Sequence, residues 1–193
     1  ESPYTMPLAP RNPPRPAGRR ATGRPIGDRT VTEPTAAADQ SASGFDPASM
    51  TILVVDDNEA NIELLLAYLD ELGSRTLTAR DGEEALAIFD ADSPDLVLLD
   101  IMMPRMSGFQ VCEQIRSREG EARTPIVMIT ALNQVADVER AVDAGADDFL
   151  TKPVDRTELV IRAQSQLRVR YLQKQLEQTR AAMKALRDQQ GEG

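Results

Sequence analysis

A chain of 193 residues with no histidine cannot run on imidazole chemistry, which excludes Ser-His-Asp and Cys-His nucleophile systems, imidazole metal sites and a phosphohistidine of its own. Its net charge of −9 argues against broad, sequence-independent nucleic-acid binding, and its single cysteine, Cys112, excludes an internal disulfide framework and suits a reducing cytoplasm. Apolar content of 41% supports a core that aliphatic side chains must fill, and no apolar run is long enough to span a bilayer or serve as a secretory signal.

Residues 1–49 hold nine of the thirteen prolines and six arginines, with no apolar periodicity. Such a segment cannot offset its ordering entropy by burial, so it reads as a disordered tail. "PRNPPRPAGRR" could serve as a polyproline ligand or basic arm, a plain tail being the simpler reading. Met50, just before the first strand, is a candidate start.

From Thr51 the pattern changes. "TILVV" (51–55) is a short aliphatic run of the kind buried on both faces of a sheet. "NEANIELLLAYLDEL" (58–72) spaces Ile62, Leu65, Leu66 and Leu69 helically, with Asn58 as candidate cap and Gly73 as its end. "SRTLTA" (74–79) alternates like a strand, and "DGEEALAIFDAD" (81–92) opens a helix on acids, as the dipole prefers. "DLVLL" (95–99) is a third strand and "SGFQVCEQIRSR" (107–118) a helix opened by Ser107. "PIVMIT" (125–130), "NQVADVERAVDAG" (133–145) and "DDFLT" (147–151) continue as strand, helix and strand. Pro153 suits the first turn of the helix that follows. Five strands alternating with helices through short loops predict a flavodoxin-like doubly wound parallel sheet, in the order 2-1-3-4-5, over residues 50–165.

That topology gathers polar residues at one edge. Asp56 and Asp57 follow the first strand, Asp100 ends the third, Thr130 ends the fourth and Lys152 follows the fifth. All stand at the carboxyl ends of parallel strands, where open α/β sheets place their ligands. Three converging carboxylates repel one another, and a hard divalent cation with oxygen ligands, magnesium best, relieves this. Carboxylate, magnesium, lysine and hydroxyl together suit phosphoryl transfer to an acid, which needs positioning and charge neutralisation. Singly, each element has a bland reading: a turn, a strand end, a loop. Met102, Met103 and Met106 read as loop or core packing, Cys112 as a buried thiol, and the acids of "DGEE" and "EGE" as solvated faces.

"ILVVDD", "LVLLDIMMPRMSGF", "PIVMITA" and "DDFLTKP" together resemble the receiver domain of bacterial two-component response regulators, over residues 51–165. The resemblance implies that Asp100 accepts a phosphoryl group from a sensor histidine kinase or phosphotransfer protein. It makes Asp56, Asp57, Asp100 and the Met102 backbone carbonyl the Mg2+ ligands. Thr130 becomes a switch hydroxyl, Ala131 a phosphate contact, Lys152 the ion-pair partner and Phe149 the switch aromatic. Phenylalanine at 149 lacks the hydroxyl of a tyrosine, leaving a packing-based rotamer change. Apolar Met102 and Leu132 imply slow dephosphorylation. On this reading the chain is a phosphoacceptor switch rather than a turnover enzyme. The competing readings are a magnesium-dependent aspartyl phosphatase, opposed by Met102 where a second acid belongs, and a phosphorylation-independent interaction module.

Residues 155–190 contain no proline or glycine, and the extension proper, 166–193, carries six bases against three acids. Val169, Leu172, Leu176, Thr179, Met183 and Leu186 repeat at 3-4-3-4-3, a short coiled-coil seam. A homodimer or partner-binding stalk is expected, with a helix folded back on its own domain as the alternative. No helix-turn-helix follows the receiver-like segment, so direct nucleic-acid contact is not expected, nor is membrane contact.

Overall fold

The computed structural model describes residues 44–119, 123–131 and 135–191, without the side chains of 135–138 and 189–191. Residues 1–43, and with them most of the Pro/Arg-rich stretch, lie outside the described residues, as does Leu132. Everything described belongs to one compact unit.

Five parallel strands, β1 (Thr51–Val55), β2 (Arg75–Ala79), β3 (Leu96–Asp100), β4 (Ile126–Thr130) and β5 (Asp148–Thr151), form a sheet ordered β2-β1-β3-β4-β5. Five helices alternate with them: α1 (Glu59–Leu69), α2 (Gly82–Asp92), α3 (Gly108–Arg118), α4 (Val135–Asp143) and α5 (Arg156–Gly191). This is the order expected from the sequence, and the reason is burial. Alternate residues of each central strand point into two separate cores. Leu53, Val55, Val97 and Leu99 pack with Phe89, Val111, Cys112 and Ile115 of α2 and α3. Ile52, Val54, Leu96 and Leu98 pack with Leu65 and Leu69 of α1 and with Leu159, Ala163 and Leu167 of α5. A strand with apolar partners on both faces has no polar position to spare, hence the unbroken aliphatic runs.

Local chemistry sets the helix ends. Asn58, Asp81 and Ser107 cap α1, α2 and α3 through their side-chain oxygens, and Ser107 and Gln110 form a capping box. The helix expected over 58–72 ends at Leu69, and a 3-10 turn over Asp70–Leu72 leads to Gly73 in the left-handed region. Pro153 lies outside α5: Asp155 caps that helix, accepting the Glu158 N–H at 2.9 Å, so the first turn begins at Arg156.

Three tertiary features depart from the sequence expectations. Glu119 is no solvated acid: its side chain is 8% exposed, paired at 2.6 Å with Arg116, which also binds Asp147 and the Gly145 and Thr124 carbonyls. Arg116 thereby ties the end of α3 to the starts of β4 and β5. Residues 45–49, expected in the tail, are ordered by a 3-10 turn that Asp46 caps, with the Phe45 ring 5.7 Å from Tyr171 of α5. Finally, the expected boundary at residue 165 falls inside α5, where Leu167 is fully buried.

Cys112 is fully buried, its Sγ–H donating to the Ala144 carbonyl at 3.2 Å, and burial pushes the thiol up to about 11. Because the folded state holds this proton more tightly than the unfolded chain, the thiol's contribution is complete below about pH 9 and lost toward pH 11. Denaturant titrations across that window should lose up to ~2–3 kcal/mol in the native chain beyond any loss in Cys112→Ala. Equal slopes in the two proteins would refute this.

Candidate functional site

The carboxyl edge of the sheet assembles the candidate site because β1 and β3 are hydrogen-bonded neighbours. Asp56 and Asp57 leave the end of β1, while Asp100 is the last residue of β3 itself. Carboxylate oxygens of all three lie within 4.8 Å of one another. Asp56 and Asp100 are buried at 1% and 3% exposure, while Asp57 is open to solvent.

Each buried acid is held. The Asn58 N–H donates to Asp56 Oδ1 at 2.9 Å, and Asn61 Nδ2 donates to both oxygens at 3.0 and 3.1 Å. Lys152 Nζ stands 2.9 Å from Asp56 Oδ2 and 2.9 Å from Asp100 Oδ1, so one ammonium serves two carboxylates. Its placement follows from β5 pairing with β4, the Lys152 N–H donating to the Thr130 carbonyl at 2.7 Å. Sequence reasoning missed Asn61. A signal was present, since Asn61 stands one helical turn before Leu65, on the apolar side of α1.

Burial raises the Asp100 carboxyl above the ordinary carboxylate range; Lys152 opposes the rise, and the charges of Asp56 and Asp57 add to it. Burial also works against the Lys152 ammonium, yet the two carboxylates outweigh it and hold its proton tighter than an ordinary lysine's. Lys152→Ala should therefore destabilise the chain by roughly 3 kcal/mol at neutral pH with divalent cations chelated, because two buried acids then face each other uncompensated. The sign with pH follows from Asp100. Its folded proton affinity exceeds the unfolded one, so ionisation costs stability as pH rises from about 4. Acidification relieves that cost, and the penalty of Lys152→Ala should shrink as the pH falls. A penalty independent of pH would contradict the pairing.

Thr130 ends β4 at 4% exposure, and Ala131 follows it at the surface. Phe149, on edge strand β5, is 37% exposed. Met102 is 60% exposed in the loop after Asp100, whereas Met103 is buried and Met106 packs against the core between α2 and α3. Arg105 in that loop is tied to Asp81 at 2.6 Å. Three clustered carboxylates, one open to water, offer the oxygen donors a hard divalent cation needs.

Comparison with known proteins points to one family. The profile of the response regulator receiver domain matches residues 52–164. Response regulator PleD of Caulobacter vibrioides is 43% identical over 134 residues, covering 69% of this chain and 30% of PleD. The chain thus spans under a third of that relative's length. The structure of the Francisella response regulator 1452 receiver domain superposes with a TM-score of 0.58 at 29% identity, covering 62% of this chain and 98% of that one. The structure of the BeF3-activated DrrB receiver domain does so at 0.56 and 31%, covering 62% and 97%. Sheet order and these matches converge, and the chain belongs to the response regulator receiver domain family, whose members act in two-component signalling.

Proposed function

We propose that this chain is a phosphoacceptor switch of the cytoplasm, in which Asp100 takes a phosphoryl group from a phosphohistidine on a sensor kinase or phosphotransfer protein. The observation that carries the reading is the single ammonium of Lys152 in contact with both Asp56 and Asp100 beside the open carboxylate of Asp57. An Asp100 oxygen attacks phosphorus as the phosphorus–nitrogen bond of the donor breaks, and the electron pair leaves with the imidazole. Lys152 balances charge on the oxygens of the transferring group, and the Thr130 hydroxyl and Ala131 backbone contact them. Asp56, Asp57, Asp100 and the Met102 carbonyl would hold Mg2+, which supplies further charge neutralisation when bound. Slow hydrolysis resets the switch, since exposed Met102 offers no group to orient water.

The receiver, read from the sequence over residues 50–165, runs without a break into the extension at 166–193, whose helix stays docked as far as Lys174, and it signals through that extension by dimerisation or partner binding along the seam Val169, Leu172, Leu176, Thr179, Met183 and Leu186. Incubation with Mg2+ and a small acyl phosphate should add one phosphoryl group per chain, seen as a mass increase that beryllofluoride blocks. Sustained turnover of phosphate esters would instead favour an aspartyl phosphatase, and no adduct an interaction module.

A further inference from the structure

Helix α5 outruns the domain it covers. Its 36 residues rise about 54 Å, while its docked part ends near Lys174. Leu159, Ala163 and Leu167 are fully buried, and Tyr171 packs on Phe45. Asp95, 5% exposed ahead of β3, accepts the Thr51 N–H and holds the helix through the Lys174 ammonium, with Arg170 Nε at 3.9 Å. From Gln175 to Asp188 every side chain is exposed. A helical segment of that length without tertiary support is marginal in water.

The exposed part is also apolar along one stripe: Val169 at 44%, Leu172 at 55%, Leu176 at 51%, Met183 at 67% and Leu186 at 58%. At about 100° per residue, Leu167, Arg170, Tyr171 and Lys174 lie on the face opposite that stripe. With Val169 as a, these four fall at heptad positions f, b, c and f, the outside of a coil. The Asp95 clasp therefore sets the rotation of α5 so that the stripe points away from the receiver.

We propose that a second copy of this chain covers the stripe as a parallel two-stranded coiled coil from Val169 to Leu186, carrying the two receivers on opposite outer sides. This rests on reading the last helix as the output element, and it names that helix's partner. Three observations choose a second copy. Stacking each seam residue on itself gives matched layers, and a β-branched Val169 at a with Leu172 at d favours two strands. The Thr179 hydroxyl, the one polar group in the seam, donates to the Gln175 carbonyl at 2.8 Å and can be covered while hydrogen-bonded. The flanking g-to-e pairs, Arg168 with Gln173, Gln175 with Arg180 and Ala182 with Arg187, set no like charges together.

Single-cysteine placement tests orientation and partner together. Leu172→Cys and Leu186→Cys, oxidised mildly with diamide, should each give disulfide-linked dimers. The parent, whose Cys112 is buried, and Glu177→Cys on the outer face should give none. The parent should sediment as two chains and Leu176→Asp as one. Antiparallel pairing sets Leu172 beside Met183 of the other copy, so a two-chain mass without self-linking overturns the parallel arrangement. A one-chain mass at all concentrations overturns the proposal, leaving the stripe to another helix. Acyl-phosphate labelling of the parent separates the two readings: a labelled monomer refutes the coil alone, and an unlabelled dimer refutes the phosphoacceptor alone.

Discussion

Asp100→Asn is expected to take no covalent label from an acyl phosphate, while unfolding at a higher denaturant concentration than the parent at neutral pH with metal chelated. The first half follows because, among the described residues, no neighbouring carboxylate can substitute. Both oxygens of Asp56 are committed to Asn61 and Lys152, with the Asn58 N–H on one of them, and Asp57 lies out in solvent. The second half follows from linkage. Burial gives the Asp100 carboxyl a higher proton affinity in the folded chain than in the unfolded one, so at neutral pH its charge opposes folding. An amide of the same shape removes that charge and leaves Lys152 paired with Asp56. The expected pairing of lost labelling with gained stability separates a functional acid from a structural one, since loss of a structural ion pair would lower the unfolding midpoint. Residual labelling, or a lower midpoint, would contradict the assignment.

Gly108→Ala is expected to cost ~3 kcal/mol or more by urea denaturation, and to slow labelling of whatever folds. The cause is close approach. A Cβ at Gly108 would sit 2.3 Å from the Asp100 carbonyl oxygen and 2.9 Å from Ile101 Cα, both backbone atoms that cannot swing aside. The Gly108 N–H also donates to the Ile101 carbonyl at 3.1 Å, so the first turn of α3 is fastened to the end of β3. Moving either shifts the loop that follows the acceptor carboxylate. Gly73→Ala supplies the contrast. There the backbone is left-handed at φ 65° but the nearest atom is 3.5 Å away, so only strain of ~1 kcal/mol is expected. Equal costs at the two glycines would refute the steric account.

The sequence by itself determined the sheet and the position of the acids on it. Strands buried on both faces must be aliphatic throughout, so "TILVV" and "DLVLL" announce the centre of a parallel sheet, and whatever follows such strands stands at its carboxyl edge. Asp56, Asp57, Asp100, Thr130 and Lys152 could be placed together for that reason. Their distances could not, nor could the role of Asn61, because a helix side chain's reach depends on how the helix lies on the sheet.

What only the tertiary structure decided are contacts between residues distant in the chain. Glu119 looks like any surface acid until Arg116 and the Thr124 N–H close on it. Asp95 looks like a strand-leading turn acid until Lys174, 79 residues away, reaches it. Periodicity showed that α5 carries an apolar seam, because side chains three and four apart share a face. Which way that seam faces was fixed by the Asp95 clasp and the burial of Leu167, since an isolated helix has no preferred rotation about its own axis until something else holds it.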